Sequence, residues 1–327
     1  MLRLRRGAVT AIVERHEGFV RLEVDGAPCI AYPRLTGPVA LGDEVIVNAA
    51  SRELGLGSGG FDVLHAKLTR GLDLPPEPGT HVMKLPYTSL QHAVRHGEED
   101  TELPELIERM PVVCCFLHSQ LAPVCAALAG RRVGYVQLPG GALPVALSDT
   151  VRELGRRGLL ELAVGAGACF GGDVDCVTVY SALALLHARG CDVAVCAIGP
   201  GIVGTGSRLG HGGMAAADAL NAAGELGGEP VIALRISEAD PRERHRGVSH
   251  HTEAVLSLWA GTVHVPWPDG CPLDHAVAEG AEWIDVSGWR EACAGFPLSY
   301  MGRGPDEDPW FFAAAFAAGR LADRLVP

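Results

Sequence analysis

From Pro111 to the C terminus, nearly continuous apolar runs alternate with segments of helical pattern, and no other feature constrains the fold as strongly. Short apolar runs without polar alternation are typical of strands buried on both faces. Strands joined through helices lie parallel, so the pattern predicts a parallel sheet covered by helices. The predicted strands cover 111–117, 132–138, 160–166, 192–198 and 230–236, and the predicted helices cover 119–129, 145–157, 174–189, 211–226, 250–259 and 309–325.

The residues before this alternation follow a different pattern. Residues 19–24 alternate apolar and polar side chains, and Asp25-Gly26 then predicts a hairpin turn. Several short strands of this kind, separated by glycine and proline, predict a small antiparallel, OB-like barrel or an antiparallel sandwich. We therefore expect an α/β protein in which a Rossmann-like, mostly parallel sheet flanked by helices follows a small N-terminal β-barrel or sandwich domain.

The predicted domain boundaries follow from composition. Residues 1–80 form the small β domain, 81–110 a linker and connecting segment, and 111–327 the Rossmann-like domain. The proline-rich stretch 75–79 is typical of a linker. The glycine-rich loop at 54–62 has two interpretations, a flexible strand connection or a lid over a site in the next domain.

The charge and the apolar content narrow the function classes. The net charge of −12, with 27 basic and 39 acidic residues, argues against nucleic acid as a partner. The first stretch is nevertheless locally basic, through Arg3, Arg5, Arg6, Arg15 and Arg21. No apolar run approaches the roughly 20 residues of a membrane helix, and no apolar segment follows the basic start. We therefore expect no membrane partner, no signal peptide and a cytoplasmic location. The ten scattered cysteines form no C-x-x-C pair, which is typical of buried thiols in a reducing compartment.

The loops that follow predicted strands carry most of the unusual chemistry. They contain His118, Gly140-Gly141, Asp173 with Asp175, the stretch 199–213 and the stretch 240–251. All strand-to-helix loops of a parallel sheet emerge at one edge, where open α/β sheets bind ligands. The sequence therefore predicts a small-molecule site at that edge.

The stretch 199–213 is rich in glycine and lies between a predicted strand and a predicted helix. Its Gly-x-Gly-x-x-Gly start matches the dinucleotide fingerprint, and bare backbone N–H groups in such a loop can hold an anion. Three interpretations stay open: a dinucleotide loop, a loop for another phosphate or carboxylate, and a structural loop that binds nothing. The predicted ligand-binding residues are Gly199, Gly201, Gly204, Thr205, Gly206 and Ser207.

The loop at 240–252 combines three arginines with three histidines. The guanidinium groups of Arg242, Arg244 and Arg246 suit bidentate binding of phosphate or carboxylate. Most loops of this composition form solvated surface, but this one lies at the edge where the site is predicted. We therefore expect the three arginines to bind an anionic ligand.

His250 and His251 are the predicted catalytic histidines, together with Asp173. Ser249 is predicted to cap a helix that begins at these histidines, and the positive end of a helix dipole disfavours imidazolium. Neutral imidazole can act as a general base or as a metal ligand. The same three residues are therefore also the candidate ligands of a divalent metal ion, while the alternative for Asp173 is simple stabilisation of a helix start.

Four segments together resemble one bacterial family, domain of unknown function 3866, along nearly the whole chain. They cover 81–91, 170–173, 199–213 and 239–252, and the last, ADPRERHRGVSHHT, is the most specific. The resemblance implies a bacterial protein and supplies no activity. Family members more often carry threonine at position 207 and an aromatic residue at position 211, so His211 is not among the predicted site residues.

These residues are compatible with two kinds of function. The first is an enzyme that performs group transfer or hydrolysis on a small anionic or phosphorylated metabolite bound at 199–213. The alternative is a ligand-sensing or adaptor protein without catalytic turnover. A divalent metal or nucleotide cofactor and a homo-oligomeric assembly stay open.

Overall fold

The chain forms two compact units, Met1–Arg95 and His96–Pro327. The computed structural model describes residues 2–55, 59–69, 78–259, 261–273 and 275–327. The division between the units falls inside the stretch 81–110 that the sequence assigns to a connecting segment. Parts of the predicted linker and of the glycine-rich loop at 54–62, namely 75–77 and 56–58, lie outside the described residues.

The first unit contains a closed barrel in which the strand order is β1-β2-β3-β5-β4. The barrel predicted by the sequence is confirmed, but it is not wholly antiparallel, because β3 and β5 pair in parallel. Asp25 and Gly26, both with positive φ, form the predicted turn between β2 and β3. The elements of this unit are β1 Leu4–His16, β2 Phe19–Val24, β3 Ala27–Ala31, α1 Pro33–Thr36, β4 Glu44–Asn48, α2 Ala50–Glu53, β5 Asp62–Lys67, and the antiparallel pair β6 Val82–Lys84 and β7 His92–Val94.

The arginines that make the first stretch basic are held by acceptors within the barrel unit. Arg5 pairs with Asp62 at 3.1 Å and Arg6 with Glu44 at 2.9 Å. Arg3 pairs with Glu53, Arg21 with Glu14, and Arg15 donates to the carbonyl oxygen of Val39. These acceptors offset the local positive charge of the barrel.

The second unit is built on a parallel sheet of six described strands in the order β11-β10-β9-β12-β8-β13. The strands are β8 Pro111–Cys115, β9 Val133–Leu138, β10 Leu162–Ala166, β11 Val174–Cys176, β12 Val193–Ile198 and β13 Glu229–Ala233. The helices are α3 Gly97–Asp100, α4 Leu121–Ala127, α5 Asp149–Arg156, α6 Val179–Ala188, α7 Ala215–Glu225, α8 His250–Leu256, α9 Trp289–Ala292 and α10 Pro309–Leu325.

Helices cover both faces of this sheet, as the apolar strands predict. Because side chains alternate along a strand, Cys114 packs in the layer that contains α6 and α7, whereas Cys115 packs in the layer of α4 and α10. All ten cysteines are buried thiols, and burial raises the pKa of Cys114 and Cys115. No helix within the described ranges is long and apolar enough to cross a bilayer.

One predicted element is wrong. The helix predicted at 174–189 begins only at Val179, and Val174–Cys176 instead forms β11, which pairs in parallel with β10. Three residues are too few for a strand period to stand out from the helical pattern that follows them. Smaller elements complete the unit: β14 Ile236–Ser237 with β15 Gly247–Val248, β16 Pro266–Pro268 with β17 Glu282–Ile284, and 3-10 helices His118–Gln120, Val145–Leu147, Gly212–Met214, Glu243–His245 and Ala276–Gly280.

Candidate functional site at the carboxyl edge of the sheet

The glycine-rich loop that follows β12 crosses the loop that follows β9. The amide of Ala142 donates to the carbonyl of Pro200 at 2.8 Å, and that of Val203 donates to Gly140 at 3.0 Å. A Cβ on Gly212 would overlap the carbonyl oxygen of Gly140, and one on Gly199 would overlap that of Ala142. The glycines at the two ends of the stretch 199–213 therefore permit close packing of two loops.

The middle of the same stretch folds into an exposed hairpin. Gly204 pairs with His211 in an antiparallel bridge, and the amide of Thr205 donates to Gly210 at 2.7 Å. The amide of Ser207 donates to Thr205 Oγ1 at 3.2 Å, and that of Gly210 to Ser207 Oγ at 3.1 Å. These amides are satisfied inside the hairpin, so they do not point together at a common ligand.

Four histidines lie together at the base of this hairpin. His211 ends the hairpin, His245 ends a 3-10 helix, and His250 and His251 begin α8. The rings of His211 and His251 stack at 3.5 Å between centroids, and His250 lies 4.5 Å from His251 and 4.8 Å from His245. His250 is partly exposed, whereas the other three are between 2% and 7% exposed. We call these four residues the histidine cluster.

Local structure brings the cluster together. The antiparallel pair β14–β15 closes the loop between Glu238 and Arg246, and the chain then enters α8. Ser249 caps α8 as predicted, since its Oγ accepts from the amide of His251 at 3.2 Å. The same Oγ lies 2.7 Å from Nδ1 of His245, which ties the loop to the helix start.

Burial keeps the imidazoles of the cluster neutral. Desolvation is the largest cause in every case, and it lowers the pKa of His245 to about 3. The positive charge of Arg235 is the next cause for His245 and His251, and the pKa of His251 is lowered furthest. The pKa values of His211 and His250 are also lowered. The sequence predicted neutral imidazoles from the helix dipole, whereas the structure traces them to burial and to a buried arginine.

Arg235 links the histidine cluster to a second buried network. It is 1% exposed, and its Nη1 lies 2.8 Å from Nδ1 of His251. Its Nε and Nη2 donate to the hydroxyl of Tyr300, which in turn donates to Asp240 at 2.9 Å. Arg303 joins Asp240 to Asp308. We call these residues, together with Arg242, the arginine network.

The arginine network carries more positive than negative charge. Its described members are three arginines, Arg235, Arg242 and Arg303, against two aspartates, Asp240 and Asp308. Burial alone would raise the pKa of Asp240, but hydrogen bonds from Arg242 and Tyr300 outweigh it and lower the pKa. Asp240 therefore stays ionised, and the arginines of the network lie beside the histidine cluster.

The structure does not bring Asp173 to the histidines. Asp173 lies beside the amino-terminal half of β10, where its Oδ2 accepts from the amide of Ala163 at 2.8 Å and its own amide donates to Ala163. The strands β9, β12 and β8 separate β10 from β13, which corresponds to roughly 19 Å from β10 to β13 at the usual strand spacing. His245 takes the place beside His250 and His251 that the sequence assigned to Asp173.

The three predicted arginines differ in their surroundings. Arg242 is held by both carboxylate oxygens of Asp240, at 2.9 and 2.8 Å. Arg244 and Arg246 are exposed, and the charge of Arg244 lowers the pKa of His250. Of the two exposed arginines, Arg244 is therefore the one whose positive charge acts on His250.

The predicted site residues do not include seven that belong to the site: His211, His245, Arg235, Asp240, Tyr300, Arg303 and Asp308. Arg235 did leave a signal, since it is a lone charge between two apolar residues at the end of a predicted strand. His245 was one of three histidines in its loop, and nothing in the sequence shows which of them turn inward. Tyr300 follows Asp240 by 60 residues, and no local spacing predicts a contact over that separation.

His118, at the end of β8, belongs to a separate group at the same edge. Its Nε2 lies 2.7 Å from Ser148 Oγ and its Nδ1 lies 3.3 Å from the carbonyl oxygen of Ile198. Ser148 also caps α5 by accepting from the amide of Val151 at 2.9 Å. Burial lowers the pKa of His118 to about 4. Both ring nitrogens of His118 are satisfied, which is typical of a structural histidine.

The family comparison covers most of both units. The chain matches the proteins of unknown function DUF3866 over residues 28–319, which include the carboxyl edge of the sheet, the histidine cluster and the arginine network. No protein with a curated description matches the chain. Since the match extends over much more than half of its length, the chain belongs to the DUF3866 family.

Proposed function

We propose that this protein is an enzyme that performs group transfer or hydrolysis on a small anionic metabolite bound beside the histidine cluster. The observation that carries the proposal is the partly exposed His250, whose Nε2 is buried and has no hydrogen-bond partner among the described residues. A neutral imidazole with an uncommitted ring nitrogen can take or give a proton. The charges around His250 determine which kind of ligand can bind there.

The charge favours an anion. The arginine network holds an excess of positive charge next to His251, and at His250 the charge of the exposed Arg244 outweighs the opposing charge of Glu253. A buried positive charge is costly unless an opposite charge accompanies it. A phosphate or carboxylate at the cluster would provide that charge.

A Rossmann-like topology of the sheet would place the ligand in the same region, beside the histidine cluster. The helix after β9, α5, packs in one layer, and the helix after β12, α7, packs in the other. Neighbouring strands whose connections leave in opposite directions create a crevice at their carboxyl ends, and ligands of open α/β sheets bind there. The ligand would then contact the base of the glycine-rich loop, near His211, and not the exposed hairpin at 204–210.

The test is a thermal-shift screen against phosphorylated and carboxylated metabolites, followed by a search for turnover of each ligand that binds. A ligand at about 100 times its Kd adds about 2.7 kcal/mol of stability. We expect His250→Gln to retain binding and to lose turnover, whereas the control His187→Gln, on α6, retains both. Failure of every anion to stabilise the protein would refute the proposal, and tight binding without turnover would support the sensing alternative.

A further inference from the structure

The three closest ring nitrogens of the cluster suggest a metal site, but hydrogen bonding decides otherwise. One ring nitrogen each of His245, His250 and His251 lies within 4.8 Å of the other two. A metal ligand must offer a lone pair, so the position of each ring proton matters. Arg235 can only donate, so Nδ1 of His251 accepts its hydrogen bond and Nε2 carries the proton. His251 therefore has an N–H group left to offer, and no lone pair.

His245 has the same tautomer for a different reason. Ser249 is fully buried, and its Oγ already accepts from the amide of His251. The hydroxyl proton needs an acceptor, and Nδ1 of His245, at 2.7 Å, is the one that the described residues provide. Nε2 of His245 then carries the ring proton. Two of the three histidines thus present N–H donors.

The spacing is also compatible with an oxygen atom. The three nitrogens lie within 4.8 Å of one another, and at that upper limit the centre of an equilateral triangle lies about 2.8 Å from each corner, which is an N–H···O distance. The neighbouring guanidinium of Arg235 repels a dication and attracts an anion.

We infer that His245, His250 and His251 hold one oxygen atom of the ligand's anionic group through ring N–H bonds, without a metal ion. His250 can supply the third donor, because no described partner fixes its tautomer at Nε2. His211 contributes a flat ring that stacks on His251. The catalytic meaning of this oxygen site rests on the proposed function, but the binding itself can be measured without turnover.

The first experiment is NMR of the full chain labelled with 15N in the histidine rings, using inorganic phosphate as the probe. We expect His245 and His251 to be neutral with the proton on Nε2, and phosphate to shift these resonances. Metal analysis and a Co²⁺ titration of the same protein should show no stoichiometric metal. Stoichiometric zinc or cobalt on the cluster, or the opposite tautomers, would overturn the inference.

The second experiment compares His245→Gln with His245→Leu, because glutamine keeps an N–H donor and leucine does not. We expect phosphate affinity to fall roughly tenfold in the leucine variant, because one hydrogen bond to the phosphate is lost. In the glutamine variant the affinity should stay within about threefold of the original value. Equal losses in both folded variants would contradict N–H donation. Phosphate binding without turnover of any substrate would refute the reaction alone, whereas metal-dependent turnover would refute the inference and leave the reaction standing.

Discussion

His118 and the histidine cluster lie at the same edge of the sheet, and burial lowers the pKa of histidines in both groups. The two groups differ in whether any ring nitrogen lacks a hydrogen-bond partner. His118 has a partner for each ring nitrogen, whereas Nδ1 of His211 and Nε2 of His250 have none among the described residues. A lowered pKa is therefore common to a structural histidine and to one available for a ligand. A ring nitrogen without a partner is what distinguishes a histidine available for a ligand from a structural one.

Acid should affect both groups, and this is the largest effect we expect. The unfolded pKa of histidine is near 6.5, and the folded values are lowered to about 4 for His118 and about 3 for His245. The stabilisation is thus fully present above about pH 6.5 and is lost as the pH falls toward the folded values. At pH 5 the free energy of unfolding is therefore lower by about 2 kcal/mol for each of these two histidines than it is well above pH 6.5.

Urea unfolding at pH 7.5, 6.5, 5.5 and 5.0 measures this loss. His264 provides the contrast in sign, because the hydrogen bonds that it donates to the carboxylates of Glu282 and Glu229 outweigh burial and raise its pKa. Its stabilisation is present below about pH 6.5 and is lost as the pH rises through its folded pKa. A free energy of unfolding that stays constant from pH 7 to pH 5 would show that neither group is buried in neutral form.

Arg235→Leu should damage the cluster and leave the His118 group intact. The substitution leaves two buried polar groups, Nδ1 of His251 and the Tyr300 hydroxyl, without their donor, and these two unsatisfied groups together cost about 3 kcal/mol. It also removes a positive charge, so the pKa of His251 should rise. Arg244→Leu, at an exposed arginine, is the matched control and should change stability by less than about 0.5 kcal/mol. Equal melting temperatures for the two variants would contradict the role of Arg235.

Phenylalanine at positions 118 and 211 tests the comparison directly. In His118→Phe the Ser148 hydroxyl and the Ile198 carbonyl lose a buried partner, which should cost about 2 kcal/mol. His211→Phe loses the 3.0 Å contact of Nε2 with the carbonyl oxygen of the exposed Arg208, but a flat ring can still stack on His251 and the unpaired Nδ1 disappears, so stability should change by less than about 1 kcal/mol. Chemical denaturation of both variants measures the difference. A larger loss of stability in His211→Phe than in His118→Phe would contradict our assignment of His118 as the structural histidine.

The sequence predicts much of the fold because buried parallel strands and long helices have strong patterns. The helix predicted at 309–325 is Pro309–Leu325 in the structure, and the barrel and the parallel sheet are both present. The exception, β11, is three residues long and merges with the helical pattern that follows it. The length of the element explains why the helix at 309–325 was predicted and β11 was not, since a periodic pattern is recognisable only when it repeats several times.

The site is less predictable, because it depends on strand order and on side-chain direction. The adjacent His250 and His251 could be located from the Ser249 cap, which the structure confirms. Asp173 could not be separated from them, because the sequence does not reveal that β9, β12 and β8 lie between β10, which Asp173 contacts, and β13. Arg235 meets His251 only after the chain has folded back through β14 and β15.

The smallest expected effect distinguishes two glycines of the same region. A Cβ on Gly213 would lie 3.1 Å from Nδ1 of His211 and 3.4 Å from Nδ1 of His251, whereas a Cβ on Gly206 meets nothing within 4 Å. Gly213→Ala should therefore push the stacked rings slightly apart and cost up to about 1 kcal/mol, as mild overpacking does. Gly206→Ala should be neutral or stabilise by up to about 1 kcal/mol, because alanine restricts the unfolded chain. Thermal unfolding of both variants, together with phosphate titration, measures the contrast. If alanine at position 213 left phosphate affinity as unchanged as alanine at position 206, the stacked pair would not help to shape the oxygen site.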